Sequence, residues 1–152
     1  MQPALKIALI GLQGLQVAFL ALHDWGPLGR LSNLEAVRAS DPPGELLRVT
    51  VLSTLPFAAV FVVCCGYWTG AWPMWLQTWL VVTCVAAAVG AVLAWWGPYL
   101  LWRNPERARR YQIRFAGTLR FLPERHGIAP DALHVAFHAC VVATLVLALA
   151  LG

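Results

Sequence analysis

The sequence predicts an all-α integral membrane protein with four transmembrane helices and an amphipathic cytoplasmic helix between the third and fourth. Three observations carry that reading. Only 12% of the 152 residues are charged and 60% are hydrophobic, with a mean hydropathy of +0.67, whereas a soluble domain carries roughly a quarter charged residues. The stretch from Val49 to Trp102 contains no Asp, Glu, Lys or Arg, which is enough chain for two crossings of about 20 residues each. A third uncharged stretch runs from Ala132 to Gly152, and a shorter one from Ile7 to Leu22.

The first span is expected over 4–22, with Lys6 placed to snorkel toward the membrane interface. Leu22-His23-Asp24-Trp25 offers no small-residue cleavage site, so this segment reads as a retained helix rather than a secretory signal. In the loop over 23–46, Ser32-Asn33-Leu34-Glu35 has the spacing of a capping box and predicts a short helix near 33–40, ended by Asp41-Pro42-Pro43-Gly44. The second and third spans, 47–67 and 74–96, are joined by the turn from Gly66 to Pro73.

The second loop, 97–130, opens with Asn104-Pro105-Glu106, a capping side chain followed by proline and an acid in the first turn. Ala108, Tyr111, Phe115, Leu119 and Leu122 then follow helical spacing, beside a stripe of Arg103, Arg107, Arg110 and Arg114. Such a helix is expected to lie on the inner leaflet and pair with phosphates of membrane lipids. The fourth span covers 131–151, and the whole chain, 1–152, reads as a single domain.

Four spans put both termini on one side and both long loops on the other. Arg30, Arg38, Arg48, Arg103, Arg107, Arg109, Arg110, Arg114, Arg120 and Arg125 fall in or beside those loops, so the positive-inside rule makes the loops cytoplasmic and the termini external. The bias to Arg over Lys, with abundant Ala, Leu, Val and Gly, points to a bacterial cytoplasmic (inner) membrane. Tyr67, Trp68, Trp72 and Trp75 are expected in the outer aromatic belt, and Trp25, Trp95, Trp96 and Trp102 in the inner one.

Several function classes lack their residues. There is no Gly-rich nucleotide loop and no G-x-S-x-G nucleophile elbow. Nucleic acid is not expected as a partner, because the acids on the same loops offset most of the arginine charge and the segment adjoins lipid. Cys64, Cys65, Cys84 and Cys140 lie in apolar spans without C-x-x-C spacing and read as small buried side chains. Ala86, Ala87, Gly90, Ala91 and Ala94 permit close helix approach within the chain or in a homo-oligomer, as do Gly11 and Gly14.

The candidate site comes from polar residues that a bilayer makes costly. Gln13, Gln16 and His23 share a stripe of the first span, and His134 and His138 share a face of the fourth. The opposed directions of these spans bring His23, His134 and His138 to one depth, with Asp24 adjacent, Tyr99 just after the third span, and Ser53 and Thr54 beside Pro56 in the second. Three chemistries suit the set. His23, Asp24, Tyr99, His134 and His138 could perform acid-base work on an amphipathic lipid-, isoprenoid- or quinone-like molecule, with Arg103, Arg107 and Arg110 holding its headgroup. His23, His134 and His138 could instead ligate a divalent metal or a b-type haem. A third reading is a non-catalytic subunit or scaffold bound to another membrane protein. His126, in Pro123-Glu124-Arg125-His126-Gly127, belongs to a turn.

Overall fold

A computed structural model describes residues 3–150. All regular structure among them is helical apart from one β-bridge between Arg125 and Ile128. The helices are α1 (Pro3–Leu22), α2 (Leu34–Ser40), α3 (Pro43–Gly66), α4 (Met74–Leu100), α5 (Pro105–Arg114) and α6 (Ala132–Leu149). Helices α1, α3, α4 and α6 are long and apolar enough to cross a membrane. Leu151, the expected last residue of the fourth span, lies outside the described residues.

Helix α1 packs on both α3 and α6, and α6 packs on α4, while α3 and α4 touch less than these neighbours do. The shared core lies toward the hairpin that joins α3 to α4 and contains Leu9, Val60, Cys64, Trp72, Leu76, Leu80, Cys84 and Val141. Trp72 is therefore a core residue, not part of an outer belt, whereas Trp68 and Trp75 are exposed. Gly14 receives Phe61 of α3 at 3.6 Å from where a Cβ would sit, so this glycine does admit a neighbouring helix. Gly90 does not: a Cβ there would meet nothing within 4 Å. The small-residue stripe of α4 thus lines open space at Gly90, while Ala87 of the same stripe packs against the core.

Helix α3 starts at Pro43, earlier than expected, because proline is tolerated in a first turn and Glu45 sits near the positive end of the dipole. The cap of α2 is Asn33, whose side chain accepts from the Ala36 amide at 3.1 Å. Ser32, the expected cap, instead donates its hydroxyl to the Gly26 carbonyl and accepts from Leu28.

Helix α4 runs past its expected end, through a π-helical segment at Val92–Trp96, to Leu100. Pro98 accounts for the break. In α register its nitrogen would serve the Ala94 carbonyl, and in π register the Leu93 carbonyl, but proline has no N–H to give. Gly97 reaches back to Val92, and both orphaned carbonyls take donors from α5: Arg107 donates to Leu93 and Ala94 at 3.0 and 2.8 Å, and Tyr111 donates to Ala94 at 2.6 Å. Helix α5 is thereby fastened to the bundle. It ends at Arg114, since Gly117 adopts φ +72° soon after, and Leu119 and Leu122 lie beyond the helix.

The two loop segments also fasten to each other. Leu119 donates its amide to Arg30 at 2.7 Å, and the Asn33 side chain donates to Ala116 at 2.7 Å. His126 lies in the turn as expected. The adjoining Gly127 has φ +80° and leaves no room for a Cβ beside Ala108 of α5.

Lys6 does not reach outward. It is buried, and its ammonium donates to the carbonyls of Tyr67, Trp68 and Gly70, where the chain leaves α3. A cation at a helix C-terminus satisfies free carbonyls and complements the dipole. Replacement of Lys6 by leucine should cost about 1.5–3 kcal/mol, the range for hydrogen bonds to a charged donor. Thermal unfolding in detergent measures this; an unchanged midpoint would contradict the capping role.

Candidate functional site

Where α3 and α4 separate, a cleft of about 910 Å³ opens at the end of the bundle that carries the two long loops. That volume falls within the roughly 300–1,000 Å³ of small-molecule sites. Every long helix contributes: Phe19 from α1, with His23 and Asp24 just beyond its end; Leu52, Ser53, Pro56 and Phe57 from α3; Ala86, Ala87, Gly90, Ala94 and Trp95 from α4; His134, Phe137 and His138 from α6. Helix α5 closes the polar end with Glu106, Arg107, Arg110, Tyr111 and Arg114.

The expected meeting of histidines from the two ends of the chain is present. The rings of His23 and His134 touch edge to face with centroids 5.4 Å apart, and those of His134 and His138 are 6.4 Å apart. Aromatic rings enclose them: Phe19 stacks on His23 at 4.3 Å, and Trp95 stacks on His134 and on Tyr111, both at 4.5 Å. Trp95 is buried in this box, not placed in an interfacial belt.

Each of two imidazoles has a carboxylate. His134 Nδ1 lies 2.8 Å from Asp131 Oδ2, and the other oxygen of Asp131 accepts from the amides of Leu133 and His134 as the cap of α6. Burial alone would push the Asp131 carboxyl up, but the His134 ring and those two amides hold it below the ordinary carboxylate value. His23 Nδ1 lies 2.9 Å from the Phe19 carbonyl and must donate to it, which turns Nε2 toward Asp24 Oδ2 at 3.3 Å. The same Asp24 oxygen accepts from Arg114 at 2.9 Å, and Arg114 also pairs with Asp41 ahead of α3. One arginine on α5 thus ties together the chain just after α1 and the chain just before α3.

Some expected residues fall elsewhere. Tyr99 is in the last turn of α4, buried beside Ala108 and Ile128, and donates to the Pro123 carbonyl at 3.0 Å. It supports the second loop and does not line the cleft, because the continuation of α4 past Pro98 carries it away. Arg103 is exposed and also outside the lining. Arg107 is at the cleft, with part of its guanidinium committed to the α4 carbonyls, and Arg110 is at the cleft without an ion-pair partner among the described residues. Gln13 and Gln16 are buried in the bundle and do not line the cleft: Gln16 joins α1 to α6 by donating to Cys140 and Thr144, and Gln13 donates to Leu9 of its own helix. Ser53 lines the cleft and Thr54 does not.

Asp131 and Arg114 were not among the expected site residues. The D-x-x-H spacing at the start of the fourth span could have revealed the first. Nothing local in the sequence joins Arg114 to Asp24 and Asp41.

The ligation readings find less support. Among the described residues, no three His, Cys, Asp or Glu side chains are grouped to hold a metal ion. His23 and His134 are in ring contact, so no porphyrin plane fits between them.

Burial depresses the His23 pKa below its ordinary value of 6.5, with Asp24 and the Phe19 carbonyl opposing that shift and His134 and Arg114 adding to it. Between the depressed value and 6.5 the unfolded chain binds the extra proton, so stability falls as pH drops below about 6.5. The thermal midpoint in detergent should fall between pH 7.5 and 5.5, and His23→Gln should flatten that slope; the same slope in the variant would contradict the assignment.

No protein-family model, curated protein or solved structure matches the chain, so its role must be read from the chemistry of the cleft.

Proposed function

We propose that the protein is a multi-pass membrane protein that binds and acts on an amphipathic small molecule, lipid-, isoprenoid- or quinone-like, in the cleft between α3 and α4. The ligand's headgroup sits among His23, Asp24, His134, His138 and Arg110, and its tail runs along the small-residue face of α4. The arginine-rich loops face the cytoplasm under the positive-inside rule, with the bacterial inner membrane as the setting.

The observation that carries this reading is the division of one cleft into two chemistries. Its loop end gathers three arginines, three carboxylates and three imidazoles. Its other end is apolar, and its flanks are exposed: Val49, Leu52 and Val82 are 46%, 63% and 58% accessible. In a bilayer those flanks meet acyl chains, which lets a hydrocarbon tail enter sideways while the headgroup stays in the polar pocket. A water-soluble substrate has no use for such an opening.

Gly90 supplies the test, because it lines the cleft and a Cβ there meets nothing within 4 Å, so a side chain starts into the trough. After purification in mild detergent, mass spectrometry should find a hydrophobic small molecule retained by the wild type. Gly90→Leu should fold normally and retain roughly tenfold less, equivalent to about 1.4 kcal/mol. A wild-type protein with no retained molecule, or equal retention in the variant, would overturn the proposal.

A further inference from the structure

We infer that Asp131 is a positioning residue that makes His134 a proton acceptor, and that the cleft therefore takes a headgroup bearing an exchangeable proton on oxygen, such as a phenol or quinol. This inference rests on the binding reading above and names its substrate class.

The argument starts from which atoms can carry protons. With Asp131 ionised, His134 Nδ1 has to be the protonated nitrogen, because it faces a carboxylate oxygen at 2.8 Å. Its Nε2 then carries the lone pair, and among the described residues no protein donor satisfies it. Aromatic packing by Trp95, Phe19 and Phe115 fixes the ring, which lines the cleft. Asp131 is itself enclosed: it is 1% exposed, and its second oxygen accepts from the first amides of α6. A carboxylate that sets the tautomer of an imidazole orients the base without taking the proton itself.

His23 completes the arrangement. Its Nδ1 proton goes to Phe19, so an added proton must arrive at Nε2, opposite Asp24. The two touching rings disfavour double protonation, as like charges do. The pair is thus suited to hold one proton. Other charges near it are Asp41 and Arg114, which pair with each other, Glu106, Arg107 and Arg110 of α5, and the neighbouring imidazole of His138.

The step is a proton transfer. The O–H bond of the headgroup breaks, a bond to Nε2 of His134 forms, and the electron pair stays on oxygen as an anion that Arg110 faces. Nothing is oxidised or reduced. A headgroup that is permanently charged and lacks such a proton gains nothing from this site.

A long-chain 2-alkyl-4-nitrophenol serves as the probe, since its phenolate absorbs visible light. Bound to wild-type protein in detergent, it should ionise at least about one pH unit below its value in empty micelles, a tenfold shift in the ratio of phenolate to phenol. In Asp131→Asn the side-chain oxygen can still cap α6, while the amide N–H₂ faces His134 Nδ1 and forces the proton to Nε2. The probe should then bind but lose the shift, and ¹⁵N spectra of the histidines should report the opposite tautomer for His134. Probe binding without an ionisation shift in the wild type, or a variant that keeps both the shift and the tautomer, would overturn the proton site while leaving the binding reading intact. Failure of the probe to bind the wild type would count against both.

Discussion

Much of the loop end of this bundle depends on a missing hydrogen. Pro98 cannot donate to α4, and at the change from π to α register beside it the Leu93 and Ala94 carbonyls take their donors from a neighbour. In apolar surroundings an unpaired carbonyl is costly, so the donors that reach it hold firmly. Arg107 and Tyr111 supply them. Burial raises the Tyr111 pKa, which keeps its phenol protonated and able to donate. With these two residues seated, the rest of α5 has its place: Arg110 at the cleft, Arg114 on Asp24 and Asp41, and Phe115 against the histidine box.

The same economy separates the two ends of the molecule. At the hairpin end, Lys6 satisfies the carbonyls beyond α3, and the core closes around Leu9, Cys64 and Leu76. Midway, Gln16 joins α1 to α6 through Thr144. At the loop end, α3 and α4 diverge, and small side chains on α4 leave the gap unfilled. At the first two places the Lys6 ammonium and the Gln16 amide N–H₂ are paired within the protein. The packed core there leaves Gln13 Oε1, Gln16 Oε1 and Trp72 Nε1 without partners among the described residues, and without a cavity beside them to take a ligand. At the third, His134 Nε2 and the guanidinium of Arg110 keep capacity that no described side chain uses, and a ligand headgroup would.

The four long helices were legible because uncharged length is a one-dimensional signal. The meeting of His23 with His134 was also within reach, since antiparallel spans fix depth. Facing direction was harder. Gln13 and His23 share a stripe by spacing, yet the glutamine packs inside the bundle and only the histidine lines the cleft. Tyr99 was misplaced because Pro98 reads as a helix stop, when here it only shifts the register and α4 continues. Small residues on α4 suggested contact, and only three-dimensional packing tells contact from vacancy. Lys6 and Arg114 find partners more than sixty residues away, beyond any local pattern.

The docking of α5 on the carbonyls freed by Pro98 can be measured in lipid bilayers by solid-state NMR. With ¹³C at the Ala94 carbonyl and ¹⁵N on arginine side chains, dipolar dephasing reports whether a guanidinium lies against that carbonyl. Strong dephasing that disappears in Arg107→Lys is the predicted result, following from the 2.8 Å hydrogen bond. Dephasing no greater than in the lysine variant would mean that α5 does not dock there, and the polar end of the cleft would lose its wall.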